Sequence, residues 1–123
     1  MNEDTLRQRI ELDRAQATRD RSAFMRWIVL LAMNINRPTH STLRFILGVV
    51  RGEYADATEL QVRRELDYLE SRDLVKVFTD PLGQVSAELT RFGIDIAEYT
   101  VDVEPGIARP RCERWAARAA LTG

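Results

Sequence analysis

The chain is short of the residues on which most chemistry depends. A single cysteine, Cys112, among 123 residues excludes an internal disulfide, and it lacks the companion ligands that a metal site needs. The one histidine, His40, stands in a loop between Thr39 and Ser41, with no second histidine or cysteine to make a ligand set or a nucleophile pair. Gly48 and Gly52 are not followed by the Lys and Ser/Thr of a phosphate-cradling loop, and Asp95 with Glu98 on a short helix reads as surface decoration. No catalytic, metal or cofactor site is therefore expected. The longest apolar run, residues 27–33, is bracketed by Arg26 and Asn34 and falls far short of the ~20 residues that a membrane span needs. The opening MNEDTLRQRIELDR alternates acids with arginines and lacks the apolar stretch of a secretory signal, so a cytoplasmic protein is expected.

Charge of one sign is also missing. The net charge is −1, and Lys76 is the only lysine among 18 basic residues. Residues 1–22 hold five arginines against five acids, residues 23–103 nine basic against twelve acidic, and residues 104–123 four arginines against two acids. The middle is mildly acidic and the tail basic. A domain that grips nucleic acid through phosphates usually carries a strongly basic face, and this composition does not advertise one.

What is present is helical patterning followed by a hairpin. The length suits one domain. Residues 4–21 are helix formers with i,i+4 pairs such as Arg7 with Glu11, but only Leu6, Ile10 and a few alanines are apolar on a plausible face. A heptad extended from Ile10 brings Asp13 and Asp20 into the seam, which argues against an autonomous coiled coil and for an arm or the start of a longer helix. Residues 22–34 are apolar around the whole axis: Phe24, Ile28, Leu31 and Ala32 suit the core, leaving Met25, Val29 and part of Trp27 to be covered by the arm, the tail or a second subunit. Pro38 breaks this helix and Ser41 offers a cap for the next, where Leu43, Ile46, Leu47 and Val50 form a core stripe and Gly52 is placed to end it.

TELQVRRELDYLESRDLVKVF, residues 58–78, is a capped amphipathic helix that leads into a strand, with Thr58 and Gln61 at capping-box spacing and Val62, Leu66 and Leu69 on one face. LVKVF and QVSAEL, joined by TDPLG, read as a β-hairpin in which Pro81 suits the first turn position and Gly83 a positive φ. Asp80 at the tip is assigned to turn chemistry. Thr90 can cap a short helix that Gly93 weakens, and CERWAARAAL a final one, from which Trp115 could dock onto the apolar helix. The expectation is a mainly α winged helix-turn-helix over residues 23–103, with a helical arm at 1–22 and a basic tail with a short helix at 104–123.

With Val62 inward, Leu60, Arg64, Asp67 and Ser71 point outward and Gln61, Arg63 and Tyr68 flank them. Gln61 can pair with adenine, Arg63 or Arg64 with guanine or phosphate, and Leu60 with a thymine methyl. Arg44, Arg51, Lys76, Arg91, Arg109, Arg111, Arg114 and Arg118 are candidate phosphate contacts. The competing reading is that Arg63, Arg64, Glu65 and Asp67 make up an ordinary solvated face. Met25, Trp27 and Val29 are the expected homodimer surface.

VRRELDYLESRDLV, LTRFGIDIAE and VEPGIARP together resemble the small winged-helix proteins encoded by Mu-like bacteriophages and their prophages, over residues 27–110. Asp73 stands where that family usually has Gly, a position that asks for the left-handed αL conformation, and Glu104 is inserted ahead of Pro105. The resemblance implies a phage origin in a bacterial host and a winged helix. Two functions are expected to compete: a DNA-binding regulator or DNA-handling accessory, or a module that docks a phage or host protein in assembly or host takeover.

Overall fold

The computed structural model describes residues 2–111. In chain order it contains α1 (Glu3–Ile35), β1 (Ser41–Thr42), α2 (Leu43–Glu53), α3 (Glu59–Ser71), β2 (Val75–Thr79), β3 (Val85–Leu89) and α4 (Arg91–Ala97). Helices α1, α2 and α3 pack against one another, and the antiparallel sheet, ordered β1-β3-β2, closes one side. This is a winged helix, with β2 and β3 as the wing.

α1 runs 33 residues, about 50 Å, because nothing interrupts it: the first proline is Pro38 and the first glycine Gly48. The arm expected at residues 1–22 is thus the first half of this helix. Residues 2–20 are exposed throughout, and burial begins at Arg21.

The second half of α1 is covered on both sides, which corrects the expected dimer surface. Met25, Trp27 and Val29 are only 2%, 4% and 0% exposed. The chain after α4 covers the Trp27 side: Tyr99 meets Trp27 edge-to-face at 5.7 Å, the Ala108 N–H donates to the Ala23 carbonyl at 3.0 Å, and Ile107 is buried in the same core, while Met25 lies beside Gln61, Glu65 and Tyr68 of α3. Leu31, expected inside, lies exposed, while Phe24 and Ile28 are half-buried.

Two boundaries also differ. Thr42, not Ser41, caps α2, its Oγ1 accepting from the Phe45 N–H at 3.0 Å; Ser41 is buried in β1 and paired with Ala87. α2 runs through Gly52 to Glu53 and ends at Tyr54. Elsewhere the local signals act as read. Thr58 and Gln61 form a reciprocal capping box on α3, Thr90 caps α4, Gly83 has φ 81° and Asp73 adopts φ 61°. Gly93 is needed rather than merely tolerated, since a Cβ there would collide with the Leu74 carbonyl. The expected final helix and the docking of Trp115 lie outside the described residues.

Candidate nucleic-acid interface

The outward face of α3 is positioned from three sides. Val62, Leu66 and Leu69 bury its inner stripe with no exposure at all. Toward the wing, Glu70 Oε2 accepts from the Val77 N–H at 2.7 Å, which ties the helix to β2. Toward α1, Arg26 donates through Nε to Glu65 Oε1 at 3.1 Å and through Nη1 to the Gly106 carbonyl at 2.9 Å, and its guanidinium lies 3.6 Å from the centre of the Tyr68 ring. The Tyr68 hydroxyl donates to Glu104 Oε2 at 3.0 Å. Glu65 is accordingly 7% exposed and does not belong to the solvated face where the sequence reading placed it. Its signal was Arg26 itself, a cation set between the apolar Met25 and Trp27.

What remains outward is small. Leu60 is 59% exposed. Arg64 is exposed and carries no intramolecular hydrogen bond or ion pair among the described residues. Arg63 is half-buried and its Nε pairs with Asp67 Oδ1 at 3.1 Å, which neutralises it along the helix. Gln61 does not have both amide atoms free: its Oε1 accepts from the Thr58 N–H at 3.1 Å in the capping box. A bidentate pair with adenine uses both, so the assignment of Gln61 is corrected to a single donor through Nε2.

The candidate phosphate contacts fall into distinct environments. Arg44, in the first turn of α2, is exposed and unpaired among the described residues. It lines a cleft of about 580 Å³ with Thr42, Arg51, Glu59, Gly83 and Gln84, so the N-termini of α2 and α3 face the wing tip across it. Arg51 donates through Nε to the Ala57 carbonyl at 2.9 Å. Lys76 is exposed on β2 but stands opposite Glu88 on β3. Arg91, with a side chain 86% exposed, reaches Asp95 at 3.4 Å. Arg109 is turned inward, donating to the carbonyls of Ile96 and Val101 at 3.0 and 2.9 Å and lying over the Tyr99 ring; a structural clamp of this kind is withdrawn from phosphate contact. Arg111 is exposed, and Arg114 and Arg118 lie outside the described residues.

At the wing, Asp80 is 8% exposed and organises the turn. Its Oδ1 accepts from the N–H groups of Gln84 and Leu82, both at 2.9 Å, and its Oδ2 from Ser86 Oγ at 3.1 Å. The Gln84 N–H, helped by Ser86, Leu82 and His40, holds this carboxyl below its usual range against a burial that raises it. His40, exposed, stands 3.9 Å from Asp80 and edge-on to Phe78. The residue missed by the sequence reading is Leu82 at the tip, 84% exposed. Among the described residues no group of three His, Cys, Asp or Glu could hold a metal ion, and no helix is long and apolar enough to cross a membrane.

No family model and no curated protein matches this chain. Solved structures do. The DNA complex of MepR from Staphylococcus aureus is similar with a TM-score of 0.55 and 17% identity, over 78% of this chain and 79% of that one. MepR described as a transcription regulator of the multidrug efflux pump MepA gives 0.53 and 15% identity, over 99% and 95%. MepR bound to ethidium bromide gives 0.51 and 16%, over 99% and 93%. At these identities the likeness establishes the winged-helix fold.

Proposed function

We propose that this chain is a DNA-binding winged-helix protein that works as a regulator or DNA-handling accessory of a Mu-like phage or prophage, in the cytoplasm of the bacterial host. The observation that carries the reading is that two arginines on neighbouring helices stay unpaired among the described residues: Arg64 on the outward face of α3, which also bears exposed Leu60, and Arg44 at the start of α2, in the cleft next to the wing. An arginine without an internal partner is free to meet a guanine edge or a phosphate, and the N-terminal half of a recognition helix is the part that meets the bases. The solved complex of MepR with DNA, a protein similar in fold, supports a DNA-binding reading. The phage setting rests on the motif resemblance of residues 27–110.

A homodimer belongs to this proposal, with the pairing moved to the first half of α1. There Leu6, Ile10 and Leu12 are 49%, 43% and 68% exposed on a helix that no described element covers, and an isolated helix of this kind gains stability by packing.

Acidic Glu59 and Asp67, exposed on the same helix as Arg64, favour the second reading, a scaffold that docks a phage or host protein through α3. Binding to labelled random duplex DNA across a salt series separates the two. Affinity that falls steeply with salt supports DNA binding; no binding even at low salt removes it and leaves the docking module.

A further inference from the structure

On the side of α2 turned away from the core stripe, two bulky apolar side chains alternate with two glycines. Phe45 and Val49 are 42% and 39% exposed, and with Gly48 and Gly52 they follow the spacing i, i+3, i+4 and i+7, an outward face without a charge. Nothing within the fold asks for the glycines: neither has a positive φ, and a Cβ at either would stand in open space. A helical glycine is unfavourable relative to alanine, so the reason for them lies outside the chain.

The face continues onto α1. Phe24, Ile28, Leu31 and Ile35 follow one line of that helix; Phe24 meets Tyr54, at the end of α2, edge-to-face at 6.4 Å, and residues 36–41 turn the other end of α1 into the start of α2. Leu31 and Ile35, 37% and 76% exposed, therefore border α2 on one flank. Arg44 and Arg51 lie on the other, in the cleft before the wing.

This face is complementary to itself. When a second α2 crosses it antiparallel, with the twofold axis between Gly48 and Val49, Phe45 falls on the partner's Gly52 and Val49 on the partner's Gly48, and symmetry repeats both contacts. Each bulky side chain meets a glycine, so the backbones approach closely, and no like charges meet on the face. A parallel pair would instead set Phe45 on Phe45 and glycine on glycine. The exposed area of Phe45, Val49, Leu31 and Ile35 is on the order of a few hundred Å², against the ~800 Å² per partner of a standard interface. The contact is accordingly weak and concentration-dependent.

We propose that the α2 face is a self-association surface on which a second copy of this chain packs antiparallel, about a twofold axis between Gly48 and Val49. It is separate from the α1 pairing proposed above and does not depend on the DNA reading. Such an axis matches each flank of α2 with itself, so the two clefts that hold Arg44 and Arg51 open on the same side of the pair.

Sedimentation equilibrium of the full chain, from micromolar to millimolar concentration, compares wild type with Gly52→Leu, which sets a leucine where the partner's Phe45 packs. The melting temperature of dilute protein checks that the variant folds. Wild type is expected to gain mass with concentration, and Gly52→Leu to need at least about tenfold more protein for the same gain. Equal masses at every concentration overturn the inference. Cross-linking in a Cys112→Ser background reads the register independently. Along the helix direction the two copies of residue 49 stand about 1.5 Å apart and the two of residue 45 about 10 Å, while a disulfide spans Cα atoms roughly 4–7 Å apart. Val49→Cys should therefore oxidise to a covalent dimer, Phe45→Cys alone should not, and Phe45→Cys mixed with Gly52→Cys should. A dimer from Phe45→Cys as readily as from Val49→Cys, or none from Val49→Cys, overturns the inference whether or not the protein binds DNA.

Discussion

Arg26 of α1 and Glu65 of α3 form an ion pair of 3.1 Å whose side chains are only 18% and 9% exposed. The pair sits directly behind the outward face of α3, and the same guanidinium reaches Gly106 and covers Tyr68. One side chain therefore holds three segments of the chain in register beneath the candidate interface.

Removing that cation should cost more than a surface ion pair does. Arg26→Met keeps the aliphatic bulk but leaves Glu65 buried without a partner, and a loss of about 3 kcal/mol in unfolding free energy is expected, measured by urea denaturation. Arg21→Met, which breaks the more exposed pair with Asp56, should cost much less, because solvent screens that pair. Equal losses would mean that the inner pair is no more buried in solution than the outer one.

The two arginines of α3 should separate in DNA binding. Arg64→Ala is expected to weaken binding and to reduce the salt slope by about 1, as for loss of one phosphate contact. Arg63→Ala should do far less, because Arg63 is already committed to Asp67. A larger effect from Arg63 would move the contact surface toward the wing side of the helix.

Gly48 and Gly52 are helical, have no positive φ and would place a Cβ in open space. Gly48→Ala and Gly52→Ala should each stabilise the fold by roughly 0.5–1 kcal/mol through reduced freedom of the unfolded chain. Gly93→Ala should do the opposite, because its new methyl meets the Leu74 carbonyl. Thermal melts of the three variants check the contrast.

The wing should loosen in acid. Asp80 is held below its usual pKa in the folded protein, so its contribution is complete above about pH 4, the unfolded value, and disappears as pH falls through the lower folded value. Amide exchange of Leu82 and Gln84 should therefore quicken below about pH 4, relative to the base-rate trend of a free peptide, in wild type. Asp80→Asn should show fast exchange at neutral pH already; unchanged protection in that variant would take Asp80 out of the turn.

Much of the fold was legible because its signals are local. The capping box of Thr58 with Gln61, the Thr90 cap, the αL residue Asp73 and the hairpin turn at Gly83 are each set by neighbours within a few positions. The stripe Leu43, Ile46, Leu47 and Val50 showed its inner face by period alone, and all four are buried. The candidate interface was legible in part: Leu60 and Arg64 face outward as helical spacing requires, while Gln61 was double-assigned, since a capping side chain and a base-reading side chain would use the same oxygen.

The remainder depended on partners far along the chain. Periodicity reports a direction around a helix axis and not what lies in that direction. Met25, Trp27 and Val29 pointed away from the first-guessed core face, and only tertiary packing turned those directions into interior: the return of residues 99–109 covers Trp27, and α2 and α3 pack against the same helix. Arg109 and Glu65 were drawn inward by carbonyls and by Arg26, at separations that no local pattern encodes: 39 residues for Arg26 with Glu65, 80 for Arg26 with Gly106. By itself the sequence determined the order of elements, their caps and turns, and the outward side of α3, since these follow from backbone preference and helical geometry. Which charges stay free to meet a partner was decided by tertiary structure, because a charge is free only when no distant part of the same chain has already claimed it.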